Sequence, residues 1–268
     1  MGLYQNRIVV KVGTSTLTNE MGKNNLQEFD KLACVLSDVQ NAGYEVILVS
    51  SGAIAIGSNK LRFKTKPESL RLKQAAAAVG QCRMMHLYDK FFSDYDKTTA
   101  QILLNADDIN HEEKKENLVN TFDALLEMGI IPVVNENDSV SYTEIQSEDR
   151  LFGDNDMLSA VVAVLCRAKK LIIFSDIDGF YDKDPRLYAD AKLIQKVTRI
   201  DEQLLTLAGG AGSRRGTGGM RTKLNAAKLA AMQGIETVIT NGKTPSSLYD
   251  ILQGKSIGTR FLAMEQSR

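Results

Sequence analysis

Short continuous apolar runs recur along the chain: Ile8-Val9-Val10, Val46-Ile47-Leu48-Val49, Ile130-Ile131 with Val133-Val134, Leu171-Ile172-Ile173-Phe174, and Val238-Ile239. They are rich in β-branched residues and do not alternate with polar ones. That is the pattern of strands buried on both faces of a parallel sheet. Helical patterns lie between them. Leu26, Phe29, Leu32, Leu36 and Val39 recur at helical spacing, and Gly43 follows as a C-terminal cap. Met220, Leu224, Ala227 and Ala231 form a second stripe, closed by Gly234. Asn155 to Cys166 is apolar nearly all round and predicts a buried helix. Strands alternating with helices imply right-handed crossovers with helices on both faces. The expected fold is α/β, a three-layer α/β/α sandwich with a mainly parallel central sheet. No internal repeat, low-complexity tract or Pro/Ser linker marks a domain boundary. One domain of two lobes is expected, the first running to about residue 170.

Each apolar run ends in small or polar residues. Lys11 is followed by Gly13-Thr14-Ser15. The later runs end at Ser50-Ser51-Gly52, Asn135-Glu136-Asn137-Asp138, Ser175-Asp176 and Asn241-Gly242. Polar residues end strands for turn chemistry alone. Five such clusters, however, would meet at the carboxyl edge of a parallel sheet, where ligands bind in open α/β folds. Lys11 is the most informative residue. It interrupts Ile-Val-Val-Lys-Val, and a buried ammonium is costly unless an anion meets it. With Gly13 beside it, the pattern suggests a phosphate cradle; a lysine snorkelling from a strand end is the plainer alternative. Gly216-Thr217-Gly218-Gly219-Met220 opens a helix with Lys223 in its first turn. Such a turn presents free N–H groups and a positive dipole end to phosphate oxygens. The Walker A and dinucleotide GxGxxG patterns both fail in this chain.

Composition narrows the partners. The chain has 268 residues, 33 basic and 33 acidic, so it carries no basic excess for nucleic acid or an acidic membrane. Its 43% hydrophobic content suits a globular protein. Cys34, Cys82 and Cys166 are widely spaced, and only His86 and His111 are present, which disfavours a disulfide framework, a zinc site or histidine-centred chemistry. With no signal-like h-region and no membrane-spanning run, a cytoplasmic protein is expected. Gly153-Asp154-Asn155-Asp156 precedes the buried helix. Asp154 or Asn155 serves as its N-cap, and an Asp here is placed to pair with Lys11 and Lys223.

These motifs together resemble the amino-acid kinase family. The matching pieces are VVKVGTS (9–15), SSGAIAIG (50–57), AAAVGQ (76–81), PVVNEND (132–138), GDND (153–156), Ser175-Asp176 with GFY (179–181) and DPR (184–186), and GTGGMRTK (216–223). NEND, GDND and GTGGMRTK together point to the branch that phosphorylates glutamate on its side-chain carboxylate. The resemblance implies an ATP-dependent kinase making an acyl phosphate as the first step of proline biosynthesis, with Mg²⁺ accompanying ATP. Lys11 and Lys223 would neutralise the transferring phosphoryl group, with Asp156 orienting them. Ser51, Asp138 and Asn155 would hold glutamate, in the first lobe. Lys11, Ser175 and Asp176 would contact the nucleotide, and Thr217, Gly218, Gly219, Met220, Arg221, Thr222 and Lys223 would wrap its phosphates, mostly in the second lobe. No protein-held metal is implied.

The other readings are a kinase of acetylglutamate, aspartate or carbamate, and a non-catalytic amino-acid sensor on the same fold. Proline as a feedback inhibitor and a homodimer or homotetramer are further family expectations. The 75–92 segment reads as helical core in preference to an interface. Arg214-Arg215, which read as facing solvent in preference to phosphate, and a longer 147–152 stretch depart from the family pattern. Because the chain stops soon after Phe261, a short form without the C-terminal RNA-binding-like (PUA) domain is expected.

Overall fold

The structure is a computed structural model and describes residues 6–18, 23–140, 154–208 and 219–264. In chain order its elements are β1 (Arg7–Val12), α1 (Thr14–Leu17), α2 (Leu26–Asn41), β2 (Glu45–Ser50), α3 (Ala53–Lys60), α4 (Leu70–Ser93), β3 (Thr99–Leu104), α5 (Ala106–Asn110), α6 (Glu112–Glu127) and β4 (Ile131–Glu136). Then follow α7 (Asn155–Leu165), β5 (Lys170–Ser175), β6 (Lys196–Val197), α8 (Glu202–Ala208), α9 (Met220–Met232), β7 (Glu236–Asn241), α10 (Ser247–Leu252) and β8 (Thr259–Phe261). They form two compact units, one of residues 1–11 with 153–268 and one of residues 12–152. The expected lobe boundary near residue 170 falls inside the first unit, at the start of β5, because α7 packs on β5 and α9.

In the first unit the strands run in the order β1-β5-β7-β8-β6. β1, β5 and β7 are parallel, with Lys11 opposite Ile173 and Ser175 opposite Asn241, while β8 runs antiparallel to β7. All six residues of β1 are buried, and so are Leu171 to Ser175 of β5. Burial on both faces is why these strands read as unbroken apolar runs. Helix α7 starts where Asp154 accepts hydrogen bonds from the N–H groups of Asp156 and Met157, at 3.0 and 3.1 Å. Asp154 is therefore the cap and Asn155 is not. An ion-pair set on β5, β7 and β8 joins Glu236 to Lys170 and to Arg260, the latter at 2.7 Å.

In the second unit β3, β4 and β2 are parallel in that order. Helix α2 ends at Asn41, and Gly43 takes a left-handed φ of 91° just beyond it. Phe29, Leu32, Leu36 and Val39 of its stripe are buried, whereas Leu26 in the first turn is 48% exposed. Helix α4 buries Ala76, Ala77, Gly80, Gln81, Met84, Leu87, Tyr88, Phe91 and Phe92 on one face, while Ala75, Ala78, Cys82 and His86 on the other are exposed. Helices α3 and α4 cross backbone to backbone at Gly57 and Gly80. A Cβ on Gly80 would lie 1.7 Å from the Ala53 carbonyl oxygen. Gly80→Ala therefore has to push two helices apart. It is expected to cost about 3 kcal/mol or more, read as a lower urea midpoint. An unchanged midpoint would show that the crossing yields freely. No helix among the described residues is long and apolar enough to cross a membrane.

Candidate active site

Lys11 lies near the end of β1, Asp156 in the first turn of α7 and Lys223 in the first turn of α9, and the three side chains meet. Lys11 Nζ is 2.6 Å from Asp156 Oδ1, and Lys223 Nζ is 3.0 Å from Asp156 Oδ2. Asp156 is 1% exposed, Lys11 6% and Lys223 7%. Thr222 Oγ1 also donates to Asp156 Oδ2, at 3.0 Å. Burial alone pushes the Asp156 carboxyl up. The two ammonium groups outweigh it and hold the carboxyl below the usual carboxylate range. Two cations on one anion leave a local excess of positive charge in a nearly dry place. That arrangement suits a polyanion such as a phosphoryl group.

The neighbouring elements add to it. Helix α9 has Gly219 as its N-cap, with no side chain capping its first-turn N–H groups. Ser175 is the last residue of β5 and donates to the exposed Asp176 at 3.2 Å. Its carbonyl accepts from Gly242 N–H at 2.8 Å, which ties the ends of β5 and β7 together. Gly219, Met220, Arg221, Thr222 and Lys223 are in place at the start of α9. Thr217 and Gly218 lie outside the described residues, as do Arg214-Arg215 and the 147–152 stretch. Asp154, beyond its capping role, has a buried Oδ2 with no partner among the described residues. Burial and the charge of Asp156 push its carboxyl up.

The second unit carries its own polar set. Ser51 follows β2, and its N–H donates to the Val12 carbonyl at 3.1 Å. Gly52 takes a left-handed φ of 110°, which turns the chain into α3. Asp138 follows β4 and lines a cavity of about 450 Å³. Burial, and then the charge of Glu136, raises the Asp138 carboxyl to about 6. Of the expected substrate residues, Ser51 and Asp138 thus belong to this unit, and Asn155 to the first.

Sequence reasoning did not foresee two contacts. One is the Thr222 bond to Asp156. The other is a buried bond from Asn135 Nδ2 to Gln81 Oε1 at 2.9 Å. A signal for the second was present, since Gln81 falls on the Ala77–Met84–Tyr88 face of an apolar helix.

A family model described as the amino acid kinase family matches residues 6–241. This chain belongs to that family. Among relatives in the amino acid kinase family, it is 57% identical over 257 residues to the glutamate 5-kinase of Clostridium perfringens, covering 96% of this chain and 95% of that one. It is 50% identical over 259 residues to the glutamate 5-kinase of Caldanaerobacter subterraneus, covering 97% and 68%. A solved carbamate kinase from Giardia lamblia bound to AMP-PNP superposes with a TM-score of 0.66 at 16% identity, over 98% of this chain and 100% of that one. That likeness shows the amino-acid kinase fold, α/β with a mainly parallel sheet.

Proposed function

We infer that this chain is a glutamate 5-kinase, transferring the γ-phosphoryl group of ATP to the side-chain carboxylate of L-glutamate to give L-glutamyl 5-phosphate. This is the first step of proline biosynthesis. The observation that carries the reading is the buried Lys11–Asp156–Lys223 arrangement, and the likeness to glutamate 5-kinases names the acceptor.

The chemistry needs little else. A side-chain carboxylate is already ionised at pH 7, so no general base is required. One of its oxygens attacks the γ-phosphorus and forms the new O–P bond. The bond to the bridging oxygen breaks, and ADP leaves with the electron pair. Positioning and charge neutralisation do the rest. Lys11 and Lys223 meet the charge on the transferring group, and Asp156 fixes where they sit. Ser175, Asp176 and residues 217–223 receive the nucleotide, while Ser51, Asp138 and Asn155 hold glutamate. Of the residues named, those before about 170, Lys11 and Asp156 apart, thus serve glutamate, and those after it serve ATP. Mg²⁺ would come bound with ATP and supply further charge neutralisation there, as a small, tightly hydrated ion suits substrate phosphates better than an all-protein cage. Proline shares the α-amino-acid head group of glutamate and fits the same reading as a feedback ligand. A homo-oligomeric state rests on the family resemblance, and a cytoplasmic location on the sequence pattern.

Incubation with ATP, Mg²⁺, glutamate and hydroxylamine is expected to yield the glutamyl hydroxamate, and N-acetylglutamate, aspartate and carbamate are expected to yield none. Glutamate binding without hydroxamate would make the chain a sensor instead. Asp138 adds a pH signature. Its raised pKa means that the ligand-free protein loses stability as pH rises from about 4 through about 6, and the ammonium of glutamate compensates the half-buried charge. The KM for glutamate is expected to fall as pH rises from about 5 to about 7, then level off. Asp138→Asn should flatten that profile, and an unaltered profile would remove Asp138 from ammonium binding.

A further inference from the structure

Gln81 is a polar residue on the buried face of α4, 8% exposed. Its Oε1 is taken by Asn135 Nδ2, which fixes the orientation of the amide. Its Nε2 is buried and finds no acceptor among the described residues. A buried donor left unmet is costly, so such a group is conspicuous in a well-packed core. Gln81 lines the cavity of about 450 Å³, together with Ala53, Ala77 and Ala78 on one side and Glu136 and Asp138 on the other. A volume in this range suits a small molecule. The small alanine side chains leave the room, and the polar groups select what fills it. A fixed donor beside two acidic groups matches a head group in which one carbon carries both a carboxylate and an ammonium.

We propose that Gln81 is a specificity-determining residue whose Nε2 donates to the α-carboxylate of the amino-acid substrate, while Asp138 accepts from the neighbouring ammonium. Asn135 acts through Gln81 as a positioning residue, because its bond to Oε1 fixes which end of the amide is left as the donor. The α-carboxylate is the one that is not phosphorylated. The reacting carboxylate has to offer an oxygen electron pair to phosphorus, and a donor bond to it would withdraw that pair. The proposal rests on the reading that glutamate is the acceptor.

The test compares glutamate with isoglutamine, its α-amide, whose side-chain carboxylate is intact. Wild-type enzyme is expected to prefer glutamate by at least about tenfold in kcat/KM, because a site built to meet a hydrogen-bonding group rejects a mismatched one. Equal use of both would overturn the proposal without any variant. Gln81→Glu keeps an oxygen for Asn135 but replaces the donor with a charged acceptor. It should raise the glutamate KM on the order of 30-fold and leave the ATP KM and kcat within about threefold. It should also cut the preference for glutamate over isoglutamine by on the order of 100-fold, since the amide of isoglutamine can donate to the new carboxylate. Should that variant fold poorly, Gln81→Met removes the donor without adding charge, and both changes are expected at about tenfold. A loss of activity that is equal for the two substrates would make Gln81 merely structural and would sink the idea. A wild-type enzyme inert toward glutamate overturns the activity reading, and this inference with it. An active wild type whose preference does not move in the variants overturns this inference alone.

Discussion

Replacing Asp156 with Asn is expected to remove about 3–5 kcal/mol of stability and nearly all activity. The carboxylate is 1% exposed and is the shared partner of two lysines that are themselves 6% and 7% exposed. An amide of the same shape keeps the packing but leaves two ammonium groups facing each other away from water. Their desolvation is then uncompensated, which is the expensive half of a buried ion pair. In a thermal melt the loss corresponds to a drop on the order of 10 °C. ATP should restore more of the melting temperature in the variant than in the wild type, because phosphate oxygens supply the missing negative charge. An Asp156→Asn enzyme with unaltered melting and turnover would mean that the lysines are held by something else.

Lys223→Ala tests the other side of the same cluster. Asp156 would keep Lys11 at 2.6 Å and Thr222 at 3.0 Å, so the fold should lose little. Catalysis should lose much. A positive group placed where charge develops in the transition state is worth on the order of 10²–10³ in kcat. The KM for glutamate should move by less than about threefold, because in the proposed mechanism the missing ammonium serves the phosphoryl group and not the amino acid. The hydroxamate assay with saturating ATP reads both constants. A raised KM at unchanged kcat would transfer Lys223 from phosphoryl transfer to substrate binding.

Much of this site was legible in the chain itself. Lys11 stood out because a charge inside a doubly buried strand needs a reason, and Asp156 and Lys223 supply one. The helix starts at Asp154 and Gly219 and the ends at Gly43 and Gly234 were readable from cap chemistry, which is local. The five strands named from their apolar runs are β1, β2, β4, β5 and β7, each flanked by other strands or covered on both faces. β3, β6 and β8 escaped notice for two physical reasons. Thr99–Leu104 mixes exposed and buried positions, and Lys196–Val197 and Thr259–Phe261 are too short to show a period. Their strand character comes from hydrogen bonds to neighbours, which no local pattern encodes. The Gln81–Asn135 bond was hidden likewise, since it joins residues far apart in sequence through side-chain geometry.

The three residues of the cluster come from distant parts of the chain, and this sets an order of events at the ribosome. Lys11 is among the first residues made, yet Lys223 emerges roughly two hundred residues later, about 10–40 s at ~5–20 residues per second. Residues 12–152 are contiguous and can condense in the interval. Asp156, the countercharge of Lys11, emerges before Lys223, so the first lysine is paired only once α7 has been made and the second cation joins the cluster last.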